Sequence, residues 1–218
     1  MKLPLVGHLK EPVSGLTHLL GAFLGFIGLL YLVNRALDHG TIWHLVSFSI
    51  YGVSLIFLYS SSAFYHLLDI SPEAQIFFRR LDHAMIFILI AGSYTPFCLI
   101  PLRGPWGWTI LGTVWVLGIA GVLLSIYWID APRKISTALY LLMGWMMIFA
   151  IYPLIKTLSV GGLYWLISGG LLYSVGAVIY AIKKPDPLPG IFGFHEIWHL
   201  FVLAGSFTHF LSVSTLIN

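Results

Sequence analysis

The chain has 218 residues, of which 59% are hydrophobic and only 9% charged, with a mean hydropathy of +0.93. Soluble domains carry about 25% charged residues, so this composition excludes a water-solvated globule and points to an integral membrane protein built as one bundle. A formal charge of +3 is too small for a nucleic-acid footprint, and the single cysteine, Cys98, excludes an intrachain disulfide.

Seven apolar segments are near or above the length a bilayer-spanning helix needs: 16–34, 43–67, 82–102, 107–128, 135–155, 161–182 and 196–217. They predict an all-α fold, a single seven-helix transmembrane domain over 1–218. Lys2 and Lys10 precede the first span, but that span crosses a bilayer and lacks a small-x-small cleavage site, so it is not read as a signal peptide. Glu11-Pro12 predicts a short interfacial element before it. Gly21, Gly25 and Gly28 fall at spacings that suit close helix packing. In the third span, Gly92 to Pro96 predicts a kink, because proline removes a helix hydrogen bond. Pro185, Pro187 and Pro189 predict an extended last connection, and Gly190 and Gly193 its turn into the seventh span.

Basic residues alternate between the two sides of this arrangement. Lys2, Lys10, Arg79, Arg80, Arg133, Lys134, Lys183 and Lys184 fall on one side; Arg35, Arg103 and Lys156 fall on the other. Positive residues concentrate in the cytoplasm, so the N-terminus is expected to be cytoplasmic and the C-terminus on the opposite side. For a bacterial source this means the plasma or inner membrane.

That orientation brings the polar residues of the spans to one depth. Thr17 and His18 begin the first span, Ser62 and His66 lie near the end of the second, Asp82 and His83 open the third, and His195 and His199 open the seventh. Residues four apart on a helix differ by about 40° in azimuth and about 6 Å in height, so His195 and His199 point from one face into one small volume. Three imidazoles with one open position make a catalytic type of zinc site. The candidate metal ligands are His66, His195 and His199, and the cofactor is Zn2+. Asp82 is the candidate general base, bound to the metal directly or through water. Its competing reading is a salt bridge to Arg79 or Arg80. Ser62 is the second candidate catalytic residue, one turn from His66 and placed to orient a water or a ring; its competing reading is a hydroxyl bonded back to its own helix. His83 points about 100° from Asp82 and stays outside the ligand set. His209 lies about 15 Å beyond His199 and reads as a packing residue. His39 and His44 fall on the far side and carry no assigned role.

His195-Glu196-x-x-His199 also matches the H-E-x-x-H pattern of zinc metalloproteases. The extended form needs glycine and histidine at 202 and 205, where Val202 and Gly205 stand, and no acidic side chain follows Glu196. An intramembrane protease is therefore the lesser reading.

Taken together, Glu11 with Thr17-His18, Ser62-x-x-x-His66, Asp82 and His195-x-x-x-His199 resemble the haemolysin III family, related to the progestin and adipoQ receptors and more distantly to alkaline ceramidases. The resemblance covers essentially the whole chain; many relatives carry asparagine where Ser14 stands. It implies a seven-helix bundle with a cytoplasmic N-terminus, zinc on the histidines at 66, 195 and 199, and Asp82 near the metal-bound water. It also suggests a lipid amide as substrate class. Two functions are expected from different classes: a zinc-dependent lipid amide hydrolase at the cytoplasmic leaflet, or a non-catalytic zinc-stabilised regulator or receptor of membrane homeostasis. Membrane lipids, including a fatty acid or lipid amide, are the expected partners. A cytolysin fits poorly, because spans this apolar favour permanent residence in one membrane.

Overall fold

Proline at a first helical turn, where its missing N–H has no partner to lose, starts three of the crossings. In the computed structural model, which describes residues 9–217, the helices are α1 (Pro12–His39), α2 (Ile42–Leu67), α3 (Pro72–Leu99), α4 (Pro105–Tyr127), α5 (Arg133–Trp145), α6 (Ile151–Thr157), α7 (Val160–Ile182) and α8 (Phe194–Ser214). A 3-10 segment, Met146–Ala150, joins α5 to α6, and the three pieces form one apolar crossing. Seven crossings result among the described residues, and the protein is a multi-pass, all-α integral membrane protein. Lys2, one of the residues used for orientation, lies outside the described residues.

Several boundaries differ from the hydropathy reading. Glu11-Pro12 makes no separate interfacial element; Glu11 is the N-cap of α1 and Pro12 its first residue. The third helix starts at Pro72, capped by the Ser71 hydroxyl, which accepts from the Ala74 N–H. Asp82 and His83 therefore sit well inside α3 and do not open it. Hydropathy marks where a helix becomes apolar, and a capped polar turn can precede that point. Pro96 lies inside α3 near its end, as the sequence suggests.

The fifth crossing is interrupted because Pro153 has no N–H to donate to the Phe149 carbonyl and its ring crowds that oxygen. Tyr94 of α3 repairs the break. Its hydroxyl lies 2.7 Å from the carbonyl oxygens of both Met143 and Gly144 and accepts from the Met147 N–H at 3.0 Å. In a bilayer, irregular backbone is tolerated only where protein satisfies it.

The connection before α8 is tighter than an extended proline run. Leu188 and Phe192 exchange backbone hydrogen bonds around Gly190, whose φ of 79° lies in the left-handed region that glycine occupies without a Cβ penalty. Gly21, Gly25 and Gly28 are buried on one face of α1: Tyr59 and Leu203 lie against Gly21, Ile56 against Gly25 and Phe210 against Gly28. The small stripe thus lets α2 and α8 approach α1. The rest of the α1 surface presents Leu20, Phe23, Leu24 and Leu30, each about half exposed, to the lipid. One core joins α1, α2, α3 and α8 through Phe48, Tyr51, Leu55, Tyr59 and Val202; a second joins α3, α4 and the fifth crossing through Phe87, Tyr94, Val114, Met143 and Leu154.

Candidate metal centre

The last turn of α2 and the first two turns of α8 lie at the same end of the bundle and carry the three predicted histidines. His66 and His199 are buried and His195 is half-buried. One nitrogen from each ring lies within 4.8 Å of the others. The ring centroids of His66 are 5.0 Å from His195 and 4.9 Å from His199, and those of His195 and His199 are 4.6 Å apart.

The partners of these rings decide which nitrogen faces inward. His66 Nδ1 bonds the carboxylate of Glu11, which can only accept, so Nδ1 carries the proton and Nε2 keeps its lone pair. His199 Nδ1 lies 3.3 Å from the Ser14 carbonyl oxygen, another pure acceptor, which leaves His199 Nε2 the lone pair. That Nε2 is buried without a hydrogen-bond partner. His66 Nε2 and His195 Nε2 are 3.4 Å apart. Two nitrogens bound to one tetrahedral zinc at 2.0–2.1 Å would be about 3.4 Å apart as well. An orphaned lone pair, a matching nitrogen pair and hydrogen bonds on the outer nitrogens fit a divalent cation. The three histidines could hold a metal ion.

Asp82 is buried and lines the cavity in front of the cluster with His66 and His195, but its carboxylate is not among the atoms that close to within 4.8 Å. It pairs with neither Arg79 nor Arg80. Among the described residues, Arg79 meets Asp130 at 3.1 Å, and the one ion-pair contact of Asp82 is with His83, at 3.8 Å. His83 Nδ1 turns to the Arg79 carbonyl oxygen at 2.8 Å. Ser62 is buried on α2 one turn before His66 and is not among the side chains lining the cavity.

Glu196 has a different task. Its Oε1 accepts from the Ser14 hydroxyl and its Oε2 from the Gly193 N–H, both at 2.8 Å. Both oxygens are used in capping α8 and tying it to α1, so the H-E-x-x-H spacing is present without a free carboxylate at the histidines. The Glu11 carboxyl is held below the usual carboxylate value, chiefly by its hydrogen bond to His66 and against the effect of partial burial.

Sequence reasoning gave Glu11 and His18 no role at the metal centre. His18 is buried and stacks on His199 with centroids 3.7 Å apart and planes 12° from parallel, while Tyr59 meets it edge-on at 5.0 Å. Both its nitrogens are buried without partners. Only the spacing from Glu11 through Ser14 to His18, which repeats near the helical period, hinted that one face of α1 serves the site. His209 bonds the Gly205 carbonyl oxygen and stays away from the cluster, and His44 caps α2 at the far end through the Thr41 N–H.

The haemolysin-III-related family model matches residues 7–210. Hemolysin-3 of Bacillus cereus is 44% identical over 204 residues, covering 94% of this chain and 90% of that protein. A hemolysin-3 homolog of Bacillus subtilis (strain 168) is 41% identical over 204 residues, with 94% and 92% covered. The adiponectin receptor protein of Drosophila melanogaster is 31% identical over 219 residues, covering 91% of this chain and 48% of the receptor.

Proposed function

The chain belongs to the haemolysin-III-related family of membrane proteins, and on that premise we propose that it is a zinc-dependent hydrolase of lipid amides working at the cytoplasmic leaflet. The observation that carries this reading is the convergence of three imidazole nitrogens whose outer partners turn lone pairs inward. Zinc would supply Lewis acidity toward a lipid carbonyl and a water in the cavity. His66, His195 and His199 would hold the ion. Asp82 takes a proton from the attacking water and returns it to the leaving amine. Ser62 supports the His66 end of the site from one turn away. An apolar cavity lined by Leu58, Leu89, Tyr94, Trp145 and Val202 shares Asp82, Ile86, Tyr140 and Trp198 with the polar one, which supports an acyl chain beside the ion.

Purified full-length protein, loaded with zinc, is expected to release fatty acid from at least one member of a lipid amide panel. Asp82→Ala should lower that rate by a factor on the order of 100 or more while zinc content, by elemental analysis, stays unchanged. A zinc-loaded wild-type protein inert against the whole panel overturns the reading. The contacts of Glu11 and Ser14, which tie α1 to α2 and α8 around the cluster, also support a non-catalytic regulator in which the ion locks these helices. Deleting such a protein would change membrane fluidity without changing the turnover of any lipid.

A further inference from the structure

The polar cavity in front of the histidines has a volume of about 850 Å³ and is lined by both signs of charge. Of its four carboxylates, Glu11 is engaged by His66 and Glu196 by Ser14 and Gly193, while Asp82 and Asp186 form no ion pair with an arginine or lysine among the described residues. Its cations differ from one another. Arg79 has a partner outside, in Asp130, but among the described residues no carboxylate forms an ion pair with Arg133 or Lys183.

Arg133 is the more informative of the two. Its guanidinium lies over the Tyr180 ring at 4.4 Å and over the Phe194 ring at 5.3 Å. Both rings also pack toward His195, with centroids 5.9 and 6.4 Å away. Arg133 is thus fixed beside the histidine cluster by the same aromatic wall. Its Nη1 is buried and has no hydrogen-bond partner. A guanidinium cannot shed its charge, and a buried donor of this kind is costly to leave unpaired. A guanidinium held over aromatic rings with Nη1 unpaired can offer its N–H groups to a phosphate or carboxylate.

We propose that Arg133 forms an anion subsite in this cavity, which takes the phosphate or carboxylate group of an amphiphile whose acyl portion lies at the histidines. The occupant is a lipid headgroup or a free anion of the same chemistry. Taking it to be a lipid rests on the function proposed above; the anion subsite itself does not. Binding is measured rather than hydrolysis, so an inert enzyme leaves the subsite standing and a failed anion preference leaves the metal reading standing.

The experiment is a titration of the zinc-loaded full-length protein in neutral detergent with three probes: oleoyl lysophosphatidate, mono-oleoylglycerol and inorganic phosphate. The wild-type protein should bind the phosphate-bearing lipid about tenfold or more tighter than its neutral counterpart. Arg133→Gln should make the two lipids equal, and Arg133→Lys should keep part of the preference, since it restores charge without the planar fork. The preference should survive chelation of the metal. Inorganic phosphate binding with the same dependence on Arg133 assigns the subsite to a free anion; its failure to bind assigns it to a lipid headgroup. Equal binding of both lipids by the wild-type protein overturns the proposal, and needs no variant to fold. So does a preference that outlasts Arg133→Gln, or one that disappears on chelation, which would put the anion on the metal instead.

Discussion

Glu11 stands one residue ahead of α1 and spends its carboxylate on His66, fifty-five positions away in the chain. That bond holds the imidazole tautomer that a metal needs. Glu11→Ala should therefore weaken zinc binding by roughly 10- to 100-fold, measured by competition with a chromophoric chelator, although Glu11 is no ligand. Because its carboxyl titrates below the usual range, the support is fully present above that range and is lost as pH falls through the lowered value. Ser14 gives a contrasting case. His199 uses its backbone carbonyl, which any residue supplies, whereas Glu196 uses its hydroxyl. Ser14→Ala should leave zinc affinity within a few-fold of wild type and lower thermal stability by about 1 kcal/mol. An asparagine at this position would keep the carbonyl too. The gathering of the three histidines, with Asp82 on the wall of the same cavity, was legible in the sequence because helical spacing and orientation place these residues at one depth. His18 was not, since a ring stacked on another ring carries no spacing signature of its own.

The fifth crossing shows what a helical element needs when its ladder fails. One hydroxyl, from Tyr94, serves two carbonyls and one N–H at the 3-10 segment. Tyr94→Phe keeps the ring and its packing but leaves these groups without that partner in an apolar surround. A loss of about 1–3 kcal/mol is expected, read as a lowered melting midpoint in detergent, with the far-ultraviolet helical signal retained below it. The seven crossings themselves were readable from apolar run lengths alone. The break at Met146–Ala150 was not, because composition does not change there and a proline well within an apolar run marks only a risk to the ladder. The start of α3 was missed for the opposite reason: the turn from Pro72 is helical and capped but too polar to register as membrane.

At the scale of the molecule, α1, α2 and α8 converge on the cluster and α3 supplies Asp82 beside it. An ion that binds only the folded bundle stabilises it in proportion to its concentration over its dissociation constant, about 2.7 kcal/mol at a hundredfold excess. Chelation should lower the melting midpoint, zinc should restore it, and His199→Ala should remove the difference between the two states. Equal midpoints with and without chelator in the wild-type protein would count against any bound ion. The placement of the ligands also has a temporal consequence. A growing polypeptide leaving the ribosome carries His66 early and receives its other two imidazoles together, within adjacent turns of the final helix. An ion held by all three histidines could therefore be captured only after that helix has been inserted, so its uptake would report that α8 is in place.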